Sequence, residues 1–178
     1  MPTAIPPPAS APEDAPIRPA RFADLAGIVA LVRELAEYEK SADQVELDEQ
    51  GLARALFGPD GVATCHVAEV DGEVVGFALW FRTFSTWTGR PGIWLEDLYV
   101  RPSARRRGLG RALVRTLAAE AAEAGMARLE WSVLDWNAPA RAFYASLGAV
   151  AMDEWTVHRL SGPALTDLGT RAAPGTPD

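Results

Sequence analysis

The sequence predicts a layered α/β (α+β) fold in which a mixed, mostly antiparallel sheet carries helices on both faces. Three observations lead there. The apolar period switches between two and 3.6 along the chain, in the order strand, two helices, two strands, then strand and helix twice, then a last strand. Asp71-Gly72 separates two β-rich runs, a strong hairpin signal. The composition, 178 residues with 48% hydrophobic and 23% charged, is that of one ordinary globular domain rather than a disordered chain.

Residues 1–16 hold six prolines and four alanines with only Glu13 and Asp14 charged, and they read as a flexible extension. With no basic start and no unbroken apolar run, they are not a secretory signal. The domain proper is expected over residues 17–168, and residues 169–178 return to Pro/Gly/Ala character as a second loose end. Ile17 to Pro19 reads as a short strand, and Leu25, Ile28, Val29, Val32 and Leu35 follow helical spacing to about Glu39. Leu52 to Phe57 reads as a short helix ended by Gly58-Pro59-Asp60-Gly61. Strands are expected over 63–70, 74–86, 92–100, 128–133 and 155–160, and helices over 109–124 and 139–147. No stretch reaches the roughly 18–20 apolar residues that span a bilayer, so a cytoplasmic protein is the expectation.

The charge is unevenly spread. Lys+Arg 17 against Asp+Glu 24 gives a net −7, which argues against general affinity for nucleic acid or anionic membranes. Six arginines, at 101, 105, 106, 107, 111 and 115, fall in the acid-free segment 98–119. With them set aside, 11 basic and 24 acidic residues remain, a balance of −13. An anion site within a protein suited to a cationic partner is the first functional indication. The lone cysteine, Cys65, permits no internal disulfide and no multi-thiolate metal site. Cys65 and His66 alternate across a strand and so face opposite ways, which disfavours a Cys–His catalytic pair. His158 has no metal-ligand spacing to any partner, and no metal is expected.

Arg105-Arg106-Arg107-Gly108-Leu109-Gly110 lies where a strand hands over to a helix. Glycines there let the backbone approach a ligand, and the unpaired first-turn amides with the helix dipole favour phosphate oxygens. The alternative is a surface turn with solvated arginines. A Walker A loop needs Gly-Lys-Ser/Thr, which is absent, and the dinucleotide fingerprint needs a small residue where Leu113 stands.

This Arg-x-x-Gly-x-Gly pattern resembles the acyl-CoA loop of the GCN5-related N-acetyltransferase (GNAT) superfamily. Glu34-Leu35-Ala36-Glu37-Tyr38-Glu39-Lys40, Leu95-Glu96-Asp97-Leu98-Tyr99-Val100, Leu134-Asp135-Trp136-Asn137 and Ala142-Phe143-Tyr144-Ala145-Ser146-Leu147-Gly148 extend the likeness to the diamine (spermidine/spermine) and thialysine acetyltransferase branch. The resemblance covers about residues 17–160. It implies a GNAT fold and acetyl-CoA as donor. Its pyrophosphate would lie on the amides of Arg106, Arg107, Gly108, Leu109, Gly110 and Arg111, with Arg105 opening the loop. Its pantetheine arm would run along Leu98, Tyr99 and Val100, with Asn137, Pro139 and Ala140 on the other side. Asn137 is also a natural helix N-cap before Pro139, and the two roles are compatible.

The same resemblance implies Tyr144 as the general acid for the leaving thiolate and Glu96 as base or ammonium binder. On strand alternation Glu96 shares a face with Trp94 and Leu98, while Asp97 faces the other way with Leu95 and Tyr99, so one carboxylate of the pair is expected in the cleft. Tyr38, Glu39, Trp131, Ser132 and Glu154 match substrate-contact positions, although Tyr38 also extends an apolar stripe and Trp131 also fits a core. The implied reaction is direct acetyl transfer to a primary amine of a small cationic molecule, a polyamine or diamine. A thialysine-like or other diamino acid is the rival substrate, and a non-catalytic acetyl-CoA-binding module the rival function. A homodimer is implied as well.

Overall fold

The computed structural model describes residues 17–170. The expected Pro/Ala-rich extension, 1–16, and the tail beyond Thr170 lie outside the described residues. Two compact units divide the chain after Trp136.

The first unit is a five-stranded sheet: β1 (Ile17–Pro19), β2 (Thr64–Val70), β3 (Glu73–Ser85), β4 (Arg90–Val100) and β5 (Leu129–Glu130), side by side in that order. All neighbours are antiparallel except β4 and β5, which run parallel. Asp71 and Gly72, both at positive φ, close the β2–β3 hairpin as the Asp-Gly pair predicts. On one face, Val67, Phe77 and Tyr99 pack with Leu25, Ile28 and Leu31 of α1 (Leu25–Tyr38) and Leu52 of α2 (Glu49–Phe57). On the other, Ala78, Trp80, Ile93 and Leu95 pack with Leu109, Leu113, Leu117 and Ala121 of α3 (Leu109–Glu123). Helices on both faces are thus required by the two apolar surfaces of one sheet. Helix α2 starts at Asp48, whose carboxylate accepts from the Gly51 amide at 2.6 Å, and that cap extends it upstream of the expected Leu52.

Cys65 and His66 face opposite ways, as alternation requires. The Cys65 thiol is buried against α1 and pushed up to about 12 by burial and by Asp24 and Asp97. His66 is buried on the α3 side, where Nε2–H donates to Glu120 at 2.8 Å and Nδ1 accepts from Trp80 Nε1 at 3.4 Å. Burial holds its pKa below the usual value against the pull of Glu120, so it is a neutral link between sheet and helix.

The second unit holds α4 (Ala138–Ala145) and α5 (Gly162–Thr170). Two expectations are corrected here. The strand expected over 128–133 pairs only at Leu129 and Glu130. The strand expected over 155–160 does not form: these residues are exposed and irregular, and α5, unforeseen, follows. Alternation at Trp155 and Val157 imitates a strand, but a strand exists only with a partner ladder. Gly169 and Thr170, expected in the loose tail, complete α5. Among the described residues, no helix is long and apolar enough to cross a membrane.

Candidate active site

The anion loop is built by backbone conformation. Strand β4 ends at Val100, one 3-10 turn (Pro102–Ala104) follows, and Arg106 and Gly108 both take left-handed φ, 63° and 78°, before α3 begins. Such a φ is easy for glycine and uncommon for arginine. Gly108 stands at the N-cap and no side chain caps the helix, so the first-turn amides of Leu109 and Gly110 are left for an external acceptor. Arg105, Arg106 and Arg107 are exposed beside them. The loop fits an anionic pyrophosphate. The adjoining strand fits the rest of acetyl-CoA: β4 is paired with β5 only at Ile93 and Trp94, so the backbone of Leu98, Tyr99 and Val100 has no strand on that side among the described residues. Arg105 Nε donates to the Val100 carbonyl at 2.8 Å, joining loop to strand.

The regular alternation expected from Leu95 to Tyr99 is corrected by a bulge. Leu79 pairs with Asp97 and Trp80 with Leu95, so Glu96 is an extra residue with no opposite number. The alternation therefore resets. Leu95 and Leu98 pack on the α3 side, whereas Asp97 falls on the face of its partner Leu79 and of Tyr99, toward α1. Glu96 is exposed and accepts from Trp94 Nε1 at 2.9 Å. Glu39, the C-cap of α1, and Glu96 both lie within electrostatic reach of Asp97.

Burial, then Glu96 and Glu39, push Asp97 up to about 6. Burial also raises Glu39. Among the described residues, no three His, Cys, Asp or Glu side chains gather closely enough to hold a metal ion.

Aromatic rings gather at the end of α1. Tyr38, 37% exposed, stands 5.9 Å from Trp136 between ring centroids. The Arg105 guanidinium lies 5.4 Å from the Tyr38 ring and 5.6 Å from the Tyr99 ring, so one residue of the loop reaches both rings. Lys40 Nζ sits 5.9 Å from the Trp136 ring. Sequence reasoning set Asp97 behind Glu96, and it did not single out Lys40, Trp136 or the bridging position of Arg105. The Leu-Glu-Asp run and the segment ending in Lys40 were the available signals.

The remaining expected residues are placed as follows. Trp131 is half-buried against the apolar cluster on the α3 side, and Ser132 is exposed. In the second unit, Asn137 caps α4, accepting from the Ala140 amide at 3.2 Å, with Pro139 in the first turn. Tyr144 is half-buried on α4 with its ring 5.2 Å from Phe143. Glu154 is exposed in the irregular segment before α5.

Residues 28–149 match the model of the acetyltransferase (GNAT) family. The chain is 40% identical over 163 residues to a thialysine N-epsilon-acetyltransferase of Bos taurus, covering 85% of this chain and 95% of that one. It is 30% identical over 162 residues to a spermidine/spermine N(1)-acetyltransferase-like protein 1 of Homo sapiens, covering 85% of this chain and 23% of that one. A solved integron cassette protein of V. cholerae superposes with a TM-score of 0.73 at 28% identity, over 86% of this chain and 96% of that one. With a family match over most of its sheet and helices and a relative so similar along nearly its whole length, this chain belongs to the GNAT acetyltransferase family and is an N-acetyltransferase.

Proposed function

We propose that the protein transfers an acetyl group from acetyl-CoA to a primary amine of a small diamino compound. The carrying observation is Asp97 on the α1 side of the sheet, held at about 6 by burial and by its like-charged neighbours Glu96 and Glu39. A buried carboxylate beside two like charges is relieved by an ammonium. A free alkylamine has a pKa near 10.4, so it arrives protonated and must lose a proton before it can attack. Asp97, mostly ionised at neutral pH and with a raised proton affinity, takes that proton, while Glu96 and Glu39 hold the ammonium beside Tyr38.

Acetyl-CoA supplies the thioester. Arg106, Arg107 and the amides from Gly108 to Arg111 hold its pyrophosphate; Leu98, Tyr99 and Val100 border its arm, and Asn137, Pro139 and Ala140 contact it from α4. As the new C–N bond forms and the C–S bond breaks, Tyr144 gives its phenolic proton to the departing thiolate. Trp131, Ser132 and Glu154 complete the substrate contacts. A homodimer in the cytoplasm belongs to the same reading.

The names of the two relatives support different amines, a diamino acid and a polyamine, and both present the amine that the carboxylates require. The test is thiol release from acetyl-CoA with a panel of polyamines and diamino acids. Turnover that falls at least a hundredfold in Asp97→Asn and in Tyr144→Phe supports the roles given. Acetyl-CoA binding without turnover of any amine overturns the reading in favour of a binding module.

A further inference from the structure

We propose that Lys40 binds the α-carboxylate of a diamino-acid substrate whose side-chain amine is the group acetylated. The inference rests on the amine-acetylation reading and adds to it the class of substrate.

The backbone at Lys40 is the first observation. Helix α1 ends with Ser41 N–H donating to the Ala36 carbonyl at 2.8 Å and Lys40 N–H donating to Glu37 at 3.1 Å, the paired bonds of a Schellman motif. In that motif Lys40 occupies the left-handed position, at φ 60°, where glycine is the unstrained choice. A lysine kept at a strained position calls for a reason in its side chain.

The side chain gives the second observation. Lys40 Nζ lies over the Trp136 ring, and Trp136 in turn meets the Tyr38 ring at a tilt of 49°. Glu37, Glu39 and Asp43 are its near neighbours in sequence, yet among the described residues Lys40 forms an ion pair with none of them. Its ammonium is thus held by an aromatic face, with its N–H donors left for an external acceptor.

The third observation is charge order. Lys40 directly follows Glu39, one of the three carboxylates that receive the amine. A negative group and a positive group in succession match a zwitterion, an ammonium at one end and a carboxylate at the other. A polyamine would bring a second ammonium toward Lys40, where like charges repel.

Ornithine with putrescine, and lysine with cadaverine, are matched pairs that differ only in the carboxylate. We expect the wild type to favour the amino acid of each pair. In Lys40→Ala and Lys40→Gly, the ratio of kcat/KM for ornithine over putrescine should fall about tenfold, the change lying in the ornithine KM, with Lys40→Arg restoring most of it. The glycine variant separates recognition from structure: it relieves the helix end, so a Lys40 that only stops the helix would leave the ratio untouched. An unchanged ratio overturns the proposal, as does wild-type preference for the carboxylate-free partner. Calorimetric titration with ornithine distinguishes the two levels. If no amine is turned over, the acetylation reading fails, and ornithine binding lost in Lys40→Gly still supports the carboxylate contact. Binding indifferent to Lys40 overturns it.

Discussion

At the scale of single residues, the site contains two positions where stability has been given up. Asp97 is held at about 6 against an ordinary value of 3.8, so its charged form is disfavoured in the folded state. A carboxyl with a raised folded pKa binds more protons folded than unfolded. It therefore lowers stability progressively as the pH rises from about 4 to about 6, and the loss is complete above that. A shift of this size corresponds to about 3 kcal/mol. Asp97→Asn should thus raise the melting temperature at pH 7 and leave it unchanged at pH 3.5, while removing most of the activity; thermal melts at the two pH values check this. The wild-type kcat/KM should fall below about pH 6 as Asp97 takes up a proton in the free enzyme, and a profile with no inflection there would discard Asp97 as the base. Lys40 is the second such position. Its left-handed backbone means that Lys40→Gly should stabilise the protein by about 1 kcal/mol, read from denaturant melts, even as ornithine recognition weakens.

At the scale of elements, the loop leading into α3 depends on backbone shape more than on side chains. Gly108→Ala places a Cβ at φ 78°, where an L-residue is strained, and should cost about 1 kcal/mol of stability. Because the same residue sets the direction of the first-turn amides, the KM for acetyl-CoA should rise about tenfold with little change in the KM for the amine. An equal rise in both would mean a general loss of structure. Helices α1 and α3 were legible because their apolar stripes run for several turns and face one sheet. The β2–β3 hairpin was legible from Asp71-Gly72, and the turn from β4 into α3 from Gly108 and Gly110. The placement of Asp97 was not, since one extra residue at Glu96 reverses the alternation that follows it and leaves no mark on the local pattern. The 155–160 segment was misread for a related reason: alternation describes a strand's faces, not its partner.

At the scale of the whole molecule, the separation of charge matters more than the net −7. On the proposed function, the six arginines between 98 and 119 include the loop that would face the anionic donor, and the remaining residues, at −13, include the carboxylates that would face the amine. Each substrate therefore meets a field of opposite sign. Such a field accelerates encounter and is screened by salt, with a Debye length of about 10 Å at 0.1 M. Putrescine carries two positive charges, whereas ornithine carries two and one negative. If the acidic surface steers the amine, kcat/KM should fall with ionic strength for both, and more steeply for putrescine. Raising salt from about 0.02 to 0.5 M should then shift the preference further toward ornithine, because the contact at Lys40 is local and screened less than the long-range attraction of a dication. Steady-state rates at saturating acetyl-CoA across that range provide the comparison, and equal slopes for the two amines would show that the acidic remainder takes no part in choosing between them.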